Sequence, residues 1–148
     1  WQKLIGCFIY MIPWSGAIGF GKYLFIDLPF LKWLFIPALP VIFLQQFIPL
    51  GGLILFLIIF LLIVRNPNIP YFIRFNSLQA ILLNIGLIII NYIFQIFLKP
   101  FENILLIRTF SSTILIGMLA IIVFSIYECL QGKEPDLPGI SNAVKIQL

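Results

Sequence analysis

Residues 74–98, RFNSLQAILLNIGLIIINYIFQIFL, open with charge and amide side chains and then stay apolar for about the length that crosses a bilayer. At helical spacing Ser77, Asn84 and Asn91 fall seven residues apart, and Gln95 follows one turn after Asn91, so these polar groups line one narrow stripe. Gln79 and Gly86 lie on the other side. An amide in hydrocarbon has no water to bond, so the stripe is expected to face other helices or a wet cavity, leaving Leu, Ile and Phe for lipid. That pattern predicts the most buried helix of a bundle. The stripe has two readings: helix-joining hydrogen bonds, each worth roughly 0.6 to 2 kcal/mol, or the lining of a translocation path. Amides suit such a lining because they donate and accept without the cost of a buried charge.

The same pattern gives the other elements. Residues 4–21 read as a first span, kinked by Pro13, with Ser15, Gly16, Ala17 and Gly19 small enough for a neighbouring backbone to approach. Residues 22–40, KYLFIDLPFLKWLFIPALP, are apolar yet broken by Pro29, Pro37 and Pro40 and carry Lys22, Asp27 and Lys32. They read as an interfacial amphipathic segment anchored by Tyr23 and Trp33, or equally as an apolar loop folded against the bundle. Residues 41–64 form a second span with a break at Pro49, Gly51 and Gly52. After a proline-rich turn at 65–73 come a third span over 76–98 and a fourth over 104–127. Arg108 is placed to snorkel, or to pair with an acid that spacing does not identify. Thr109, Thr113, Gly117 and Ala120 make a small-residue stripe that predicts close helix contact. The tail, 128–148, reads as aqueous, with Ile140, Val144 and Leu148 able to dock on the bundle.

Composition agrees with one four-span domain over 1–148, an all-α integral membrane protein: 62% of residues are hydrophobic and 9% charged. The net charge of +4 is read as topology and contact with anionic membrane lipids, not as a nucleic-acid footprint. Lys3, Arg65, Arg74, Lys133 and Lys145 on the face holding both termini, against Lys22, Lys32, Lys99 and Arg108 opposite, orient the termini to the cis side. The sequence contains no histidine, the commonest metal ligand and general base, and Asp27, Glu102, Glu128, Glu134 and Asp136 are scattered among loops and ends. Spacing therefore offers no catalytic, metal-binding or cofactor-binding set, and no enzyme is expected. Cys7 and Cys129 fall toward the same face, where a disulfide is geometrically feasible and free buried thiols are the favoured reading. The chain opens on Trp1 rather than Met, so residues are expected to precede it.

Two segments, YFIRFNSLQAILLNI at 71–85 and GKEPDLPGISNAVKIQL at 132–148, resemble the twenty-kilodalton subunit of the translocon at the inner envelope of chloroplasts, including its plastid-encoded and cyanobacterial relatives. Arg74, Phe75, Asn76, Gln79 and Ala80 match the family motif, and the family pattern has an acidic residue where this chain has Asn84. The resemblance implies four spans and a non-enzymatic role: a membrane subunit that helps precursor proteins cross the inner plastid envelope together with other translocon subunits, with both termini stromal. Its competitor is a structural or assembly subunit of another plastid or cyanobacterial membrane complex. A solute carrier lacks the charged intramembrane residues that couple ions.

Overall fold

The computed structural model describes residues 1–148, all of them in helices or short connections. Helix α1 covers Gln2–Asp27 with a nick at Tyr10 and a three-ten turn over Ile18–Gly21. Pro13 explains the nick: its ring has no N–H and crowds the carbonyl four residues earlier, at Ile9. Helix α2, Pro29–Phe47, begins as a three-ten segment over Pro29–Ala38 and continues as α-helix from Leu39. Pro37 and Pro40 remove the donors a regular α-helix would use there. Helix α3 is Gly51–Val64, α4 is Tyr71–Phe101, α5 is Ile104–Leu130, and α6 is the short Ile140–Gln147. Asn103 caps α5, its side-chain oxygen accepting from the Leu105 and Leu106 N–H groups at 3.1 and 3.4 Å.

Between α2 and α3 the chain breaks where the sequence predicts it. Ile48, ahead of Pro49, is extended at φ −109° and ψ 126°, and Leu50 takes the left-handed conformation at φ 56°. The sharp return brings the Gln45 backbone against Gly51, where an added Cβ would sit 2.5 Å from the Gln45 carbonyl oxygen. Only glycine fits that approach.

Four helices are long and apolar enough to cross a membrane: α1, α2, α4 and α5. Hydrogen bonds show how they are threaded. Tyr10 and Cys129 both bond Asn76, so the start of α1, the start of α4 and the end of α5 share one end of the bundle. Arg74 bonds the last carbonyl of α3, Val64, which puts that helix terminus at the same end. The opposite end is marked by the ion pair of Asp27, closing α1, with Arg108, opening α5. Residues 29–64 therefore start at one end and finish at the other, and α2 with α3 makes a single net traverse. The three-ten part of α2 is folded against α1, with the Trp14 indole N–H donating to the Leu34 carbonyl at 2.8 Å.

Only 35 of 148 residues are buried, while Ile88, Ile89, Ile93, Phe97, Leu105 and Ile116 are exposed, an arrangement suited to hydrocarbon rather than water. Two expectations need correction. The more buried helix is α1, not the segment at 76–98: α1 is flanked by α2, α4 and α5, whereas burial in α4 ends at Leu87. The stripe of Thr109, Thr113, Gly117 and Ala120 is exposed, and an added Cβ at Gly117 would meet nothing within 4 Å. No helix of this chain lies against it, because α5 uses Ser111, Leu115, Met118, Ile122 and Ser125 for its buried face.

The break gives a paired test. Gly51→Ala should lower the thermal midpoint of the purified protein by the equivalent of about 1–3 kcal/mol, the usual cost of overpacking. Gly52→Ala, with no atom within 4 Å of the added carbon, should leave it unchanged.

Candidate functional site

Polar side chains gather in two places, one at each end of the bundle. The first is a hub on the opening turns of α4. Asn76 is fully buried; its Oδ1 accepts from the Tyr10 hydroxyl at 2.9 Å and from the Cys129 thiol at 3.0 Å, and its Nδ2 donates to the Phe72 carbonyl at 2.7 Å. The Phe72 carbonyl can only accept, which fixes the amide's orientation. Gly6 brings α1 close enough for this: a Cβ there would lie 3.3 Å from the Phe72 ring and 3.5 Å from the Cys129 sulfur. Both cysteines are free thiols, Cys7 reaching the Ile126 carbonyl at 3.9 Å.

One turn on, Gln79 is also fully buried and holds the tail. Its Nε2 donates to the Pro135 carbonyl at 3.2 Å, and its Oε1 lies 3.2 Å from the Ser141 hydroxyl. Ser141 also lies 2.9 Å from the Pro135 carbonyl and accepts from the Leu137 N–H at 2.7 Å. The tail segment that reads as aqueous is thus partly buried: Leu137, Ser141 and Val144 pack inward, with α6 against α4. Arg74 donates through Nε to the Val64 carbonyl at 2.8 Å, satisfying a helix-end acceptor that would otherwise lack a partner. Phe75 and Ala80 complete the motif as buried apolar packing.

The second place is a cavity of about 500 Å³ between α1, α4 and the start of α5, toward the Asp27–Arg108 end. Asn84, Asn91 and Gln95 line it together with Lys22, Lys99 and Ser111. Asn84 lies close against α1, since a Cβ on Gly16 would be 3.0 Å from its Oδ1. The hydrogen bonds made by side chains of α4 belong to Arg74, Asn76 and Gln79. Asn84, Asn91 and Gln95 make none within the chain, and Asn91 and Gln95 are exposed along it.

The predicted stripe is therefore divided. Asn84, Asn91 and Gln95 share the cavity, while Ser77 is buried apart from it with no hydrogen-bond partner, as is Ser125. Sequence reasoning did not identify Tyr10, Pro135 and Ser141 as partners of the motif, nor Asp27 as the partner of Arg108. A buried amide signals that a partner exists, but not which of several distant segments supplies it.

Fold and site together define an all-α polytopic membrane protein, its polar side chains joining helices at one end and lining an open cavity at the other. Residues 1–144 match the model of a family described as chloroplast import apparatus Tic20-like. The chain is 34% identical to a Tic20 family protein of Synechocystis over 99% of its own length and 92% of the relative's. It is 28% identical to the chloroplastic protein TIC 20-v of Arabidopsis thaliana, over 99% of this chain and 71% of the relative. It is 31% identical to the Tic20 family protein Ycf60 of Porphyra purpurea, over 99% and 75%. The chain belongs to the Tic20 family.

The two polar sites predict opposite responses to the same kind of substitution. Asn76→Leu should destabilise the protein by about 1–3 kcal/mol, because it removes the acceptor for two buried donors. Asn91→Leu should leave the thermal midpoint within error of the parent, since it breaks no bond within the chain.

Proposed function

We propose that this chain is a membrane subunit of a protein-import translocon of the inner plastid envelope, multi-pass, with both termini on the stromal side. It acts with other translocon subunits on precursor proteins in transit, surrounded by membrane lipids. Family membership supports the translocon role, and one structural observation supports a place in the path: Asn84, Asn91 and Gln95 face a common cavity without partners in their own chain. In hydrocarbon such amides require a partner, water or a passing polypeptide. About 500 Å³ holds a few side chains rather than a crossing chain, so a complete path requires partner subunits or further copies. The proposed spans are residues 4–21, 41–64, 76–98 and 104–127, with 22–40 at the interface, where Trp33 is exposed, and 128–148 as the stromal tail.

The distribution of basic residues along the threading supports the stromal orientation. Lys3, Arg65, Arg74 and Lys133 lie at or beside the hub end, and Lys145 is on the α6 helix docked there, against Lys22, Lys32, Lys99 and Arg108 toward the other end. A second reading, a structural or assembly subunit, has its own support. Arg74, Asn76 and Gln79 all bond within the chain, so these motif side chains serve to hold its helices and tail together.

Single cysteines at Asn84, Asn91 and Gln95, in a background lacking Cys7 and Cys129, separate the two. The translocon reading expects labelling by an aqueous maleimide, protection by an arrested precursor, and crosslinks from that precursor to the same positions. Labelling by lipid-soluble reagents alone, with no precursor crosslink, would remove these residues from the path and leave the structural reading.

A further inference from the structure

The cavity also has a charge pattern that amides alone do not explain. Lys22 and Lys99 line it, and no acidic side chain does. Asp27, the acid that closes α1, is engaged by Arg108, and no carboxylate lies within ion-pair distance of Lys22 or Lys99. Both lysines sit near a helix end: Lys22 begins the last helical turns of α1, and Lys99 begins the closing turn of α4. From Asn84 to Lys99 α4 rises roughly 22 Å, and Lys22 lies past Gly16, the residue beside Asn84, on α1, so both cations are displaced from Asn84 toward the Asp27–Arg108 end. Leu87, Ile88, Phe94 and Ile107 provide apolar wall beside the polar groups. Ile88, Asn91 and Gln95 line the cavity and are exposed, so it is an open recess and not an enclosed void.

We infer that this cavity is a binding site for an anionic glycerophospholipid, its charged headgroup held by Lys22 and Lys99 and hydrogen-bonded by Gln95 and Asn91, its acyl chain lying along Ile88 and Phe94. The chemistry is complementary at each level. Two ammonium groups with no carboxylate in ion-pair distance favour an anion. Amides offer donors to phosphate oxygens and both donors and acceptors to headgroup hydroxyls. An open recess with polar and apolar walls suits a molecule that is charged at one end and apolar along the rest, whereas a free phosphate has no use for the apolar wall. The site is occupied by lipid in the isolated chain, so the inference does not rest on any precursor passing through it.

The test uses the full chain purified in neutral detergent, with retention of phosphatidylglycerol and of phosphatidylcholine measured by native mass spectrometry. Phosphatidylglycerol should be retained about tenfold better, and Lys22→Gln with Lys99→Gln should abolish that preference. Lys133→Gln, at the hub end, should keep it. Millimolar inorganic phosphate should displace nothing. If the double variant fails to fold, each single variant serves, with an expected loss of about threefold. Equal retention of the two lipids, a preference that survives both substitutions, or one lost equally in Lys133→Gln would overturn the assignment. Displacement by inorganic phosphate would overturn the lipid in favour of a free-anion site. The absence of any precursor from the sample separates failure here from failure of the translocon reading.

Discussion

A carboxamide buried in hydrocarbon has to be satisfied by protein, and the fold depends on how Asn76 meets that requirement. Its oxygen takes the Tyr10 hydroxyl from α1 and the Cys129 thiol from α5, and its nitrogen returns to the backbone of α4. Arg74 and Gln79, within a turn on either side, reach the end of α3 and the tail. Less than two turns of one helix therefore contact the N-terminal helix, the third helix, the last long helix and the C-terminal segment. Van der Waals packing of Leu and Ile gives no comparable selectivity, since lipid tails are as apolar as the side chains they would replace. Directional bonds to particular atoms supply the register that greasy surfaces cannot.

The two ends of the bundle consequently differ in kind. At the hub end polar groups are closed on one another, the approach of α1 is permitted by Gly6, and the tail is fastened over α4. At the other end Gly16 lets α1 touch α4 at Asn84 and Phe20 meets Phe94 edge to face, while Gly19 between them has no atom within 4 Å of where a Cβ would be. The cavity begins there. Asp27 and Arg108 hold α1 to α5 across this opening, but both are substantially exposed, and an ion pair in that setting contributes little to stability. A firm end and an open end are built from the same helices, divided near the middle of α4 where burial stops.

Much of this architecture was legible in the chain because local chemistry dictates it. Pro13 must disturb the helix before it, Pro49 must extend Ile48, and a row of Asn and Gln at helical spacing must share a face; the structure shows all three. What local pattern does not contain is the identity of distant partners. Gln79, on the side of the helix opposite the predicted stripe, is buried, and although the spacing of Ile140, Val144 and Leu148 lets the tail dock, it does not say that Pro135 and Ser141 meet that amide. The Thr109 to Ala120 stripe failed for a related reason. Small residues permit close approach but do not compel it, and α5 turns its other face to the bundle. The deeper burial of α1 is not written in hydropathy, since its small and aromatic residues, Gly6, Tyr10, Trp14 and Ala17, carry less apolar pattern than the Ile-rich end of α4, which faces outward.

The unbonded amides and the outward face of α5 lead to the same requirement from different directions. Transfer of an unpaired amide into an apolar medium costs on the order of a few kcal/mol, and Asn84, Asn91 and Gln95 present three of them beside two lysines with no ion-pair partner. A single copy in a bilayer has no internal group left to offset that cost, since Ser111 is the only other neutral polar side chain on the wall apart from the Tyr23 hydroxyl. Water drawn in from the Asp27–Arg108 end reaches the lysines first and Asn84 last. The deeper the amide, the stronger the case for another companion. A lipid headgroup, a partner helix and an extended polypeptide each carry groups that complement those donors and acceptors, and two of them cannot use the same amide at once. Under the translocon role proposed above, a site that is complete only when something else occupies it suits a component that has to let a chain enter and then release it.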